Sequence, residues 1–273
     1  MDRLDILNRE EFVAQLVNLS NNISHNKLSV SFAIDGTWGC GKSFVLDMYE
    51  DQLKVIQSEE TGHDRYLIVR YNCWKYDYYE EPLIAIVATM LESIEQQTQL
   101  LHGEQGEKVK GLLKVIGTTL LTISNNAIKE KTGIDLSEAT EFIQKGVESG
   151  EESYKAMHQY DMYFEFNKTL RSLQSVLNDL GEQYTVVFLI DELDRCLPEY
   201  AIKVLERLHH LTENTKNVIT IMAIDKTQLQ SSITHIFGFE NPEDYLKKFI
   251  QFTVPLPIGT VSDKFMEKHR DYI

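Results

Sequence analysis

Short apolar runs alternate with amphipathic segments along most of the chain. The runs KLSVSFAI, RYLIVRYNCW, YTVVFLI, NVITIMAID and KKFIQFTVPLP are rich in β-branched and aromatic residues, which predicts buried strands. Segments between them, such as SFVLDMYEDQLKVIQ and AIKVLERLHHL, repeat apolar residues at helical spacing. This alternation predicts an α/β fold with a mostly parallel central sheet of about five strands, flanked by helices.

The stretch from about residue 102 to residue 181 interrupts this alternation, and we interpret it as a helical insertion. Its most hydrophobic part, Leu112 to Ile123, has twelve residues and contains a lysine. A helix that spans a bilayer needs about 20 apolar residues, so this run predicts a buried or surface-docking helix instead.

An apolar stripe near the end of that stretch fits two structures, a seam for a partner helix or a crossover helix packed on the sheet. The second is favoured because the stripe is short and runs directly into a strand. The stripe consists of Tyr163, Phe166, Leu170, Leu173, Leu177 and Leu180.

A glycine-rich loop, GTWGCGKS, follows the first predicted strand and precedes a predicted helix. It fits the pattern GxxxxGK[ST], in which backbone N–H groups at a helix N-terminus ring the phosphate oxygens. We expect Lys42 to reach the β- and γ-phosphates and Ser43 to bind Mg²⁺. The predicted nucleotide-binding residues are Gly36, Thr37, Trp38, Gly39, Cys40, Gly41, Lys42, Ser43 and Phe44.

Two acidic residues follow the strand YTVVFLI at its carboxyl end, the edge where open α/β sheets bind ligands. We expect Asp191 to hold Mg²⁺ through its water shell and Glu192 to activate a water molecule as general base. Asn72 and Trp74 end the second strand beside this position. Asn72 is a candidate for orienting the water, whereas Trp74 is expected to pack.

Three cationic residues are candidates for stabilising the charge of a phosphoryl-transfer transition state, namely Arg195, Arg207 and Lys248. Arg195 is the nearest of them to the acid pair in sequence. It either takes this catalytic role, contacts a neighbouring protomer, or forms a structural ion pair with Asp194 or Glu199. The sequence leaves these alternatives open.

Several motifs resemble the KAP family of P-loop NTPases. DGTWGCGKS, YNCWKY, IDELDRCLPE, MAIDK and YLKKFIQFTVPLP occur in that family's order, and LNREEFVAQL is similar to its opening helix. The bulky Trp38 within the loop also resembles the family's pattern. The resemblance implies ATP and Mg²⁺ as cofactors, a catalytic glutamate, and an added strand between the two strands that carry the Walker motifs. A role in bacterial anti-phage defence is implied by the resemblance alone.

Many members of that family carry transmembrane helices between the two Walker motifs. This chain has only the Leu112 to Ile123 run at that place, which argues against a membrane span here. At the end of NVITIMAID, Asp225 occupies a position where related ATPases keep a polar sensor of the γ-phosphate. A second interpretation of Asp225, as the N-cap of the following helix, is equally compatible with the sequence.

Composition limits which ligands the protein is expected to bind and in which cellular compartment it is expected to lie. The 42 acidic and 27 basic side chains give a net charge of −15, which disfavours nucleic acid as the main ligand. Three cysteines without metal-ligand spacing favour a reducing compartment. The N-terminus shows no secretory signal pattern, and we expect a cytoplasmic protein.

Together these features predict an ATP hydrolase that couples Mg²⁺-dependent turnover to a conformational or assembly change, with a second copy of the chain or an effector protein as partner. A non-hydrolysing nucleotide-dependent switch or scaffold is one alternative, and it would make little use of Glu192. A P-loop kinase for a small molecule is another, although the sequence contains no arginine-rich lid. We expect one KAP-type domain over residues 1–273 that ends within a helix begun at Ser262, as the core of a longer protein.

Overall fold

A five-stranded parallel sheet forms the centre of the molecule. The computed structural model describes residues 5–57, 65–97, 103–132 and 151–258. For residues 103–105, 125–132 and 151–163 it describes the backbone only. The helix expected from Ser262 lies outside the described residues. The strands are β1 (Val30–Asp35), β2 (Tyr66–Asn72), β3 (Thr185–Asp191), β4 (Val218–Ile224) and β5 (Phe252–Pro255).

The strand order is β2-β3-β4-β1-β5, and every neighbouring pair is parallel. The predicted parallel sheet of about five strands is therefore confirmed. Strand β4 lies between β1, which precedes the glycine-rich loop, and β3, which ends in the acid pair. It is the added strand that the family resemblance implied.

Helices cover both faces of this sheet, as a parallel sheet requires. On one face, Phe32, Leu189 and Ile221 pack towards the first two helices; on the other, Ala33, Phe188 and Met222 belong to the larger core beneath the remaining helices. The helices are α1 (Glu10–His25), α2 (Lys42–Lys54), α3 (Pro82–Gln96), α4 (Gly103–Thr132), α5 (Glu151–Gly181), α6 (Pro198–Thr212), α7 (Lys226–Phe237) and α8 (Pro242–Leu246).

Helices α4 and α5 lie between β2 and β3 in the chain, where the insertion was expected. Leu113, Ile116 and Leu120 of α4 are buried in the larger core, whereas Val115 is 64% exposed, so one face of the apolar run packs and the other meets solvent. Among the helices that the structure describes, none is both long and apolar enough to cross a membrane.

The apolar stripe of α5 packs inside the molecule. Leu173, Leu177 and Leu180 are buried in the larger core, and α5 contacts β3 and α6. The crossover-helix alternative is therefore confirmed over this part of the stripe. The side chain of Tyr163, at its start, lies outside the described residues.

Candidate functional site

The glycine-rich loop joins the end of β1 to the start of α2. Gly36 N donates to the carbonyl of Ile224 (3.0 Å), which fixes the beginning of the loop to the end of β4. A Cβ at Gly36 would lie 2.6 Å from Cys40 Sγ, so a side chain here would require the Cys40 thiol to move. Gly41, the residue before α2, has a φ of 93°, a left-handed conformation that favours glycine. Backbone conformation thus favours glycine at Gly41, and close approach of the Cys40 thiol favours it at Gly36.

Lys42 begins α2 and folds back over the loop. Its Nζ donates to the carbonyl oxygens of Gly36 (2.6 Å) and Thr37 (3.2 Å). These contacts hold the ammonium at the helix N-terminus, where the helix dipole also favours anions. The arrangement therefore concentrates positive potential at the place where the sequence predicted phosphates.

Asp191, at the end of β3, is buried and held through both of its carboxylate oxygens. Oδ1 accepts a hydrogen bond from the backbone N–H of Glu192 (3.0 Å), and Oδ2 accepts one from Arg70 Nη2 (2.7 Å). Arg70 lies in β2 and also pairs with Asp47 (3.3 Å) and Glu50 (3.6 Å) of α2. One guanidinium thus connects β2, β3 and α2 beside the loop.

The sequence analysis did not identify Arg70. The available signal was a cationic residue in the middle of the otherwise apolar strand segment LIVRY. A charged residue in such a strand needs a partner of opposite charge, but its three partners come from two separate parts of the chain. Only the parallel pairing of β2 with β3, which places Asn72 opposite Asp191, brings them together.

Glu192 has an unusual backbone and a restrained side chain. Its φ of 58° is left-handed, a conformation that costs a non-glycine residue about 1–2 kcal/mol. Asn72 Nδ2 donates to Oε2 (2.8 Å), and Arg195 Nη1 pairs with Oε1 (3.0 Å). Asn72 in turn accepts a hydrogen bond from the backbone N–H of Lys75 (2.9 Å), which fixes its amide. The carboxylate is therefore oriented from both sides.

The ion-pair partner of Arg195 differs from both of the predicted ones. Arg195 pairs with Glu192 instead of Asp194 or Glu199, because the three-residue helical turn after Glu192 returns the guanidinium to that carboxylate. Its guanidinium carbon also lies 5.9 Å from the ring centroid of Trp74. Trp74 was expected to pack, but it is 55% exposed.

A hydrogen bond joins the glycine-rich loop to the turn that follows β3. Trp38 Nε1 donates to Asp194 Oδ2 (2.5 Å), although the Trp38 side chain remains 58% exposed. The bulky residue inside the loop thus contacts the other half of the predicted site. It spans the gap between the two halves at their surface.

A cavity of about 190 Å³ separates the loop from the acid pair and brings most of the predicted residues together. Gly36, Thr37 and Cys40 lie outside its lining, although the carbonyls of Gly36 and Thr37 hold Lys42. The lining residues are Trp38, Gly39, Gly41, Lys42, Ser43, Phe44, Asp191, Glu192, Asp194 and Arg195.

Asp225 acts as the N-cap of α7. Its Oδ1 accepts a hydrogen bond from the backbone N–H of Gln228 (3.2 Å), and the residue is 7% exposed. It is absent from the lining of the cavity described above. The capping interpretation is thus confirmed, whereas a role in sensing the γ-phosphate stays a prediction.

The two other cationic candidates lie away from the cavity. Arg207 forms a bidentate pair with Glu81, with contacts between 2.9 and 3.1 Å, at the start of α3. Lys248 precedes β5 and lines a different cavity, of about 360 Å³, together with Ser29 and Ser31. That cavity lies at the amino edge of the sheet, opposite the edge that carries the loop. Within this chain, Arg195 is thus the candidate that lines the site.

Magnesium fits the hydroxyl of Ser43 and the carboxylate of Asp191, because both are oxygen donors that line the same cavity. Among the described residues, no group of three or more His, Cys, Asp or Glu side chains could hold a metal ion by itself. The donor set suits an ion that takes its other ligands from phosphate groups and water, as Mg²⁺ commonly does.

Two solved structures of the Aeropyrum pernix ORC2 protein are similar, one of ADPNP-ADP complexes (12% identity, TM-score 0.44) and one of an ADP form (14% identity, TM-score 0.45). Each comparison covers 94% of this chain, and the chain spans 49% and 50% of the two ORC2 chains. No curated protein matches. The family model described as the KAP family P-loop domain matches residues 9–267, and the chain belongs to the KAP family of P-loop NTPases.

Proposed function

We propose that this protein binds ATP with Mg²⁺ at the loop of residues 36–44 and hydrolyses it to ADP and phosphate. The observation that carries the proposal is the position of Glu192. Its carboxylate, oriented by Asn72 and Arg195, lines the same cavity as Lys42 and Ser43. A general base and a phosphate-binding loop therefore face one space, which is the arrangement that attack on a bound terminal phosphate requires.

The loop and α2 supply the phosphate contacts. Backbone N–H groups at the start of α2 are free to donate to phosphate oxygens, because the first turn of a helix has no internal partners for them. Lys42 exchanges its contacts with the Gly36 and Thr37 carbonyls for contacts with the β- and γ-phosphates. Ser43 and Asp191 would hold Mg²⁺, which would neutralise the charge that develops on the phosphate oxygens.

Glu192 takes the proton of the attacking water. Asn72 keeps the carboxylate pointed into the cavity, since its own amide is anchored by the backbone N–H of Lys75. Arg195 is 46% exposed in its side chain, which leaves it free to move from Glu192 to the developing charge on the γ-phosphate. Asn72 and Arg195 thus both act on the general base, Glu192.

The Trp38–Asp194 hydrogen bond is the contact through which we propose that nucleotide binding is coupled to a conformational change. It joins the two halves of the site at the mouth of the cavity, so a nucleotide entering between them competes with this bond. We also propose a cytoplasmic location, a second copy of the chain or an effector protein as partner, and a role in anti-phage defence.

A non-hydrolysing nucleotide switch is the second candidate. It is favoured by one observation, that both carboxylate oxygens of Glu192 are already engaged by Asn72 and Arg195. In this case nucleotide binding alone would alter the contacts at the mouth of the cavity. The two candidates differ in whether phosphate is released.

Phosphate release from MgATP by wild type and Glu192→Gln, over a series of protein concentrations, distinguishes them. We expect the variant to retain nucleotide binding and lose turnover by about 100-fold, the lower end of the range for a general base. Glu199→Gln is the matched control, because Glu199 is an exposed carboxylate outside the cavity lining. Equal turnover in wild type and Glu192→Gln would contradict the hydrolytic mechanism, and rising specific activity with concentration would indicate a site shared between protomers. Phosphate release without an added acceptor also excludes the kinase alternative.

A further inference from the structure

A buried arginine lies directly behind the glycine-rich loop. Arg9 immediately precedes α1, and it is only 3% exposed although it carries a full positive charge. Its backbone N–H donates to Asp5 Oδ2 (2.5 Å), which fixes the start of the helix. Among the described residues, its Nε has no hydrogen-bond partner. Burying a charge is costly unless the charged group is paired or hydrogen-bonded, so the remaining contacts of the guanidinium matter.

The guanidinium contacts two backbone carbonyls from distant parts of the chain. Nη2 donates to the carbonyl oxygen of Cys40, within the glycine-rich loop, at 3.0 Å. Nη1 donates to the carbonyl oxygen of Pro257, just after β5. Leu256, the residue before Pro257, is itself tied to the end of β1 through its N–H and the carbonyl of Asp35 (2.7 Å). Arg9 therefore joins the loop to the segment that follows β5.

The contact with Cys40 determines where the next N–H group points. The carbonyl of Cys40 and the N–H of Gly41 belong to one planar trans peptide unit, in which the C=O and N–H bonds point in opposite directions. Arg9 holds the carbonyl on the outer side of the loop. The Gly41 N–H must then point to the inner side, towards the cavity that Gly41 lines.

This peptide unit needs such a restraint because of the residue that follows it. Gly41 has a φ of 93° and no atom within 4 Å of the place where a Cβ would be, so side-chain packing does not hold it. Glycine reaches several backbone conformations at similar cost. A rotated peptide would direct the Cys40 carbonyl oxygen at the phosphates, where two negatively polarised groups would repel each other.

We propose that Arg9 is a positioning residue that keeps the Cys40–Gly41 peptide oriented with its N–H towards the bound phosphates. It acts through the loop and does not touch the nucleotide. The inference rests on the proposed nucleotide binding, but the orientation of the peptide itself is a property of the protein without nucleotide. Arg9 thus acts on affinity for phosphate groups and leaves the base and the metal ligands in place.

The binding test compares wild type, Arg9→Lys and Arg9→Met for MgADP, MgATP and adenosine by calorimetry or saturation-transfer NMR. A lysine keeps the charge and can reach only one of the two carbonyls, whereas methionine removes the donors. We expect the affinity for both nucleotides to fall at least 10-fold in Arg9→Met and about 3-fold in Arg9→Lys, as expected for a lost or weakened charge-assisted hydrogen bond. Adenosine, which has no phosphate, should bind equally to all three proteins, and kcat at saturating MgATP should stay within about 2-fold.

Arg207→Lys is the matched control, because Arg207 also makes several contacts through a half-buried guanidinium but lies away from the cavity. It should bind nucleotides as wild type does. Unchanged nucleotide affinity in folded Arg9→Met, or in Arg9→Lys if the methionine variant does not fold, would overturn the proposal. An equal loss for adenosine would also overturn it, since that result indicates general damage to the site.

Hydrogen exchange at residues 39–42, without nucleotide, separates this inference from the proposed function. We expect faster exchange of these amides in Arg9→Lys than in wild type or Arg207→Lys, because the loop peptide is no longer held from behind. Unchanged exchange would refute the role of Arg9 even if the protein binds nucleotide. Faster exchange in Arg9→Lys, together with no nucleotide binding by wild type, would instead count against the proposed function alone.

Discussion

Replacing Arg70 by methionine should leave three carboxylates facing one another beside the glycine-rich loop. Arg70 pairs with Asp191 at 2.7 Å, with Asp47 at 3.3 Å and with Glu50 at 3.6 Å. Its side chain is 25% exposed, and that of Asp191 only 6%. Methionine keeps much of the apolar stem and removes the charge. The substitution therefore tests how strongly this guanidinium stabilises the end of β3.

The expected magnitude follows from the burial of the pair. Two unit charges 4 Å apart interact by about 4 kcal/mol at the effective dielectric constant of a partly buried site. Removing one partner of a buried pair costs about 3–5 kcal/mol, because the remaining charge is left without compensation. Since Arg70 is one quarter exposed, water recovers part of this loss. We expect Arg70→Met to lower the free energy of unfolding by about 2–4 kcal/mol, equivalent to a Tm decrease on the order of 5–10 °C.

Thermal unfolding followed by circular dichroism measures this effect. Arg207→Met is the matched control, because Arg207 is 24% exposed and pairs with one carboxylate, that of Glu81. Arg207→Met should lose less stability, since it leaves one carboxylate without its arginine where Arg70→Met leaves three. An unchanged Tm for Arg70→Met, or an equal Tm decrease in both variants, would refute the reasoning.

Three further substitutions or modifications test individual contacts. Asn72→Ala removes the 2.8 Å hydrogen bond to Glu192 and should lower kcat for phosphate release by about 10-fold, with MgATP affinity within 2-fold of wild type; an unchanged kcat would show that Glu192 is oriented without it. Alkylation of Cys40 by iodoacetamide should block nucleotide binding, because its Sγ lies against Gly36 inside the loop, and Cys40→Ser should resist the reagent. Burial raises the pKa of the Cys73 thiol, so that residue should stay unmodified in the folded protein, which peptide mapping can verify; full nucleotide binding by protein carrying the Cys40 adduct would contradict the prediction. Asp225→Ala should lower stability by about 1 kcal/mol through loss of the α7 cap and leave phosphate release per folded molecule unchanged, whereas a large loss of kcat would favour the γ-phosphate sensor role.

The short segments of regular structure were determined by the sequence alone. Each strand is an apolar run bounded by turn or polar residues, and the glycine-rich loop carries its chemistry within eight neighbouring residues, Gly36 to Ser43. Asp191 and Glu192 were placed correctly at the end of a strand because they follow an unbroken apolar run. These features depend on local spacing, which a linear sequence displays directly.

The contacts that orient those residues were decided by the tertiary structure. Arg70 and Asp191 are 121 residues apart in sequence, Asn72 and Glu192 are 120 apart, and Arg9 and Pro257 are 248 apart. Arg195 pairs with Glu192 and not with Asp194 or Glu199. The reason is the helical turn that follows Glu192, whose backbone is left-handed. A sequence pattern specifies which groups are charged and which segments are strands, but the order of strands in the sheet determines which charged groups meet, and that order is set by the packing of the whole chain.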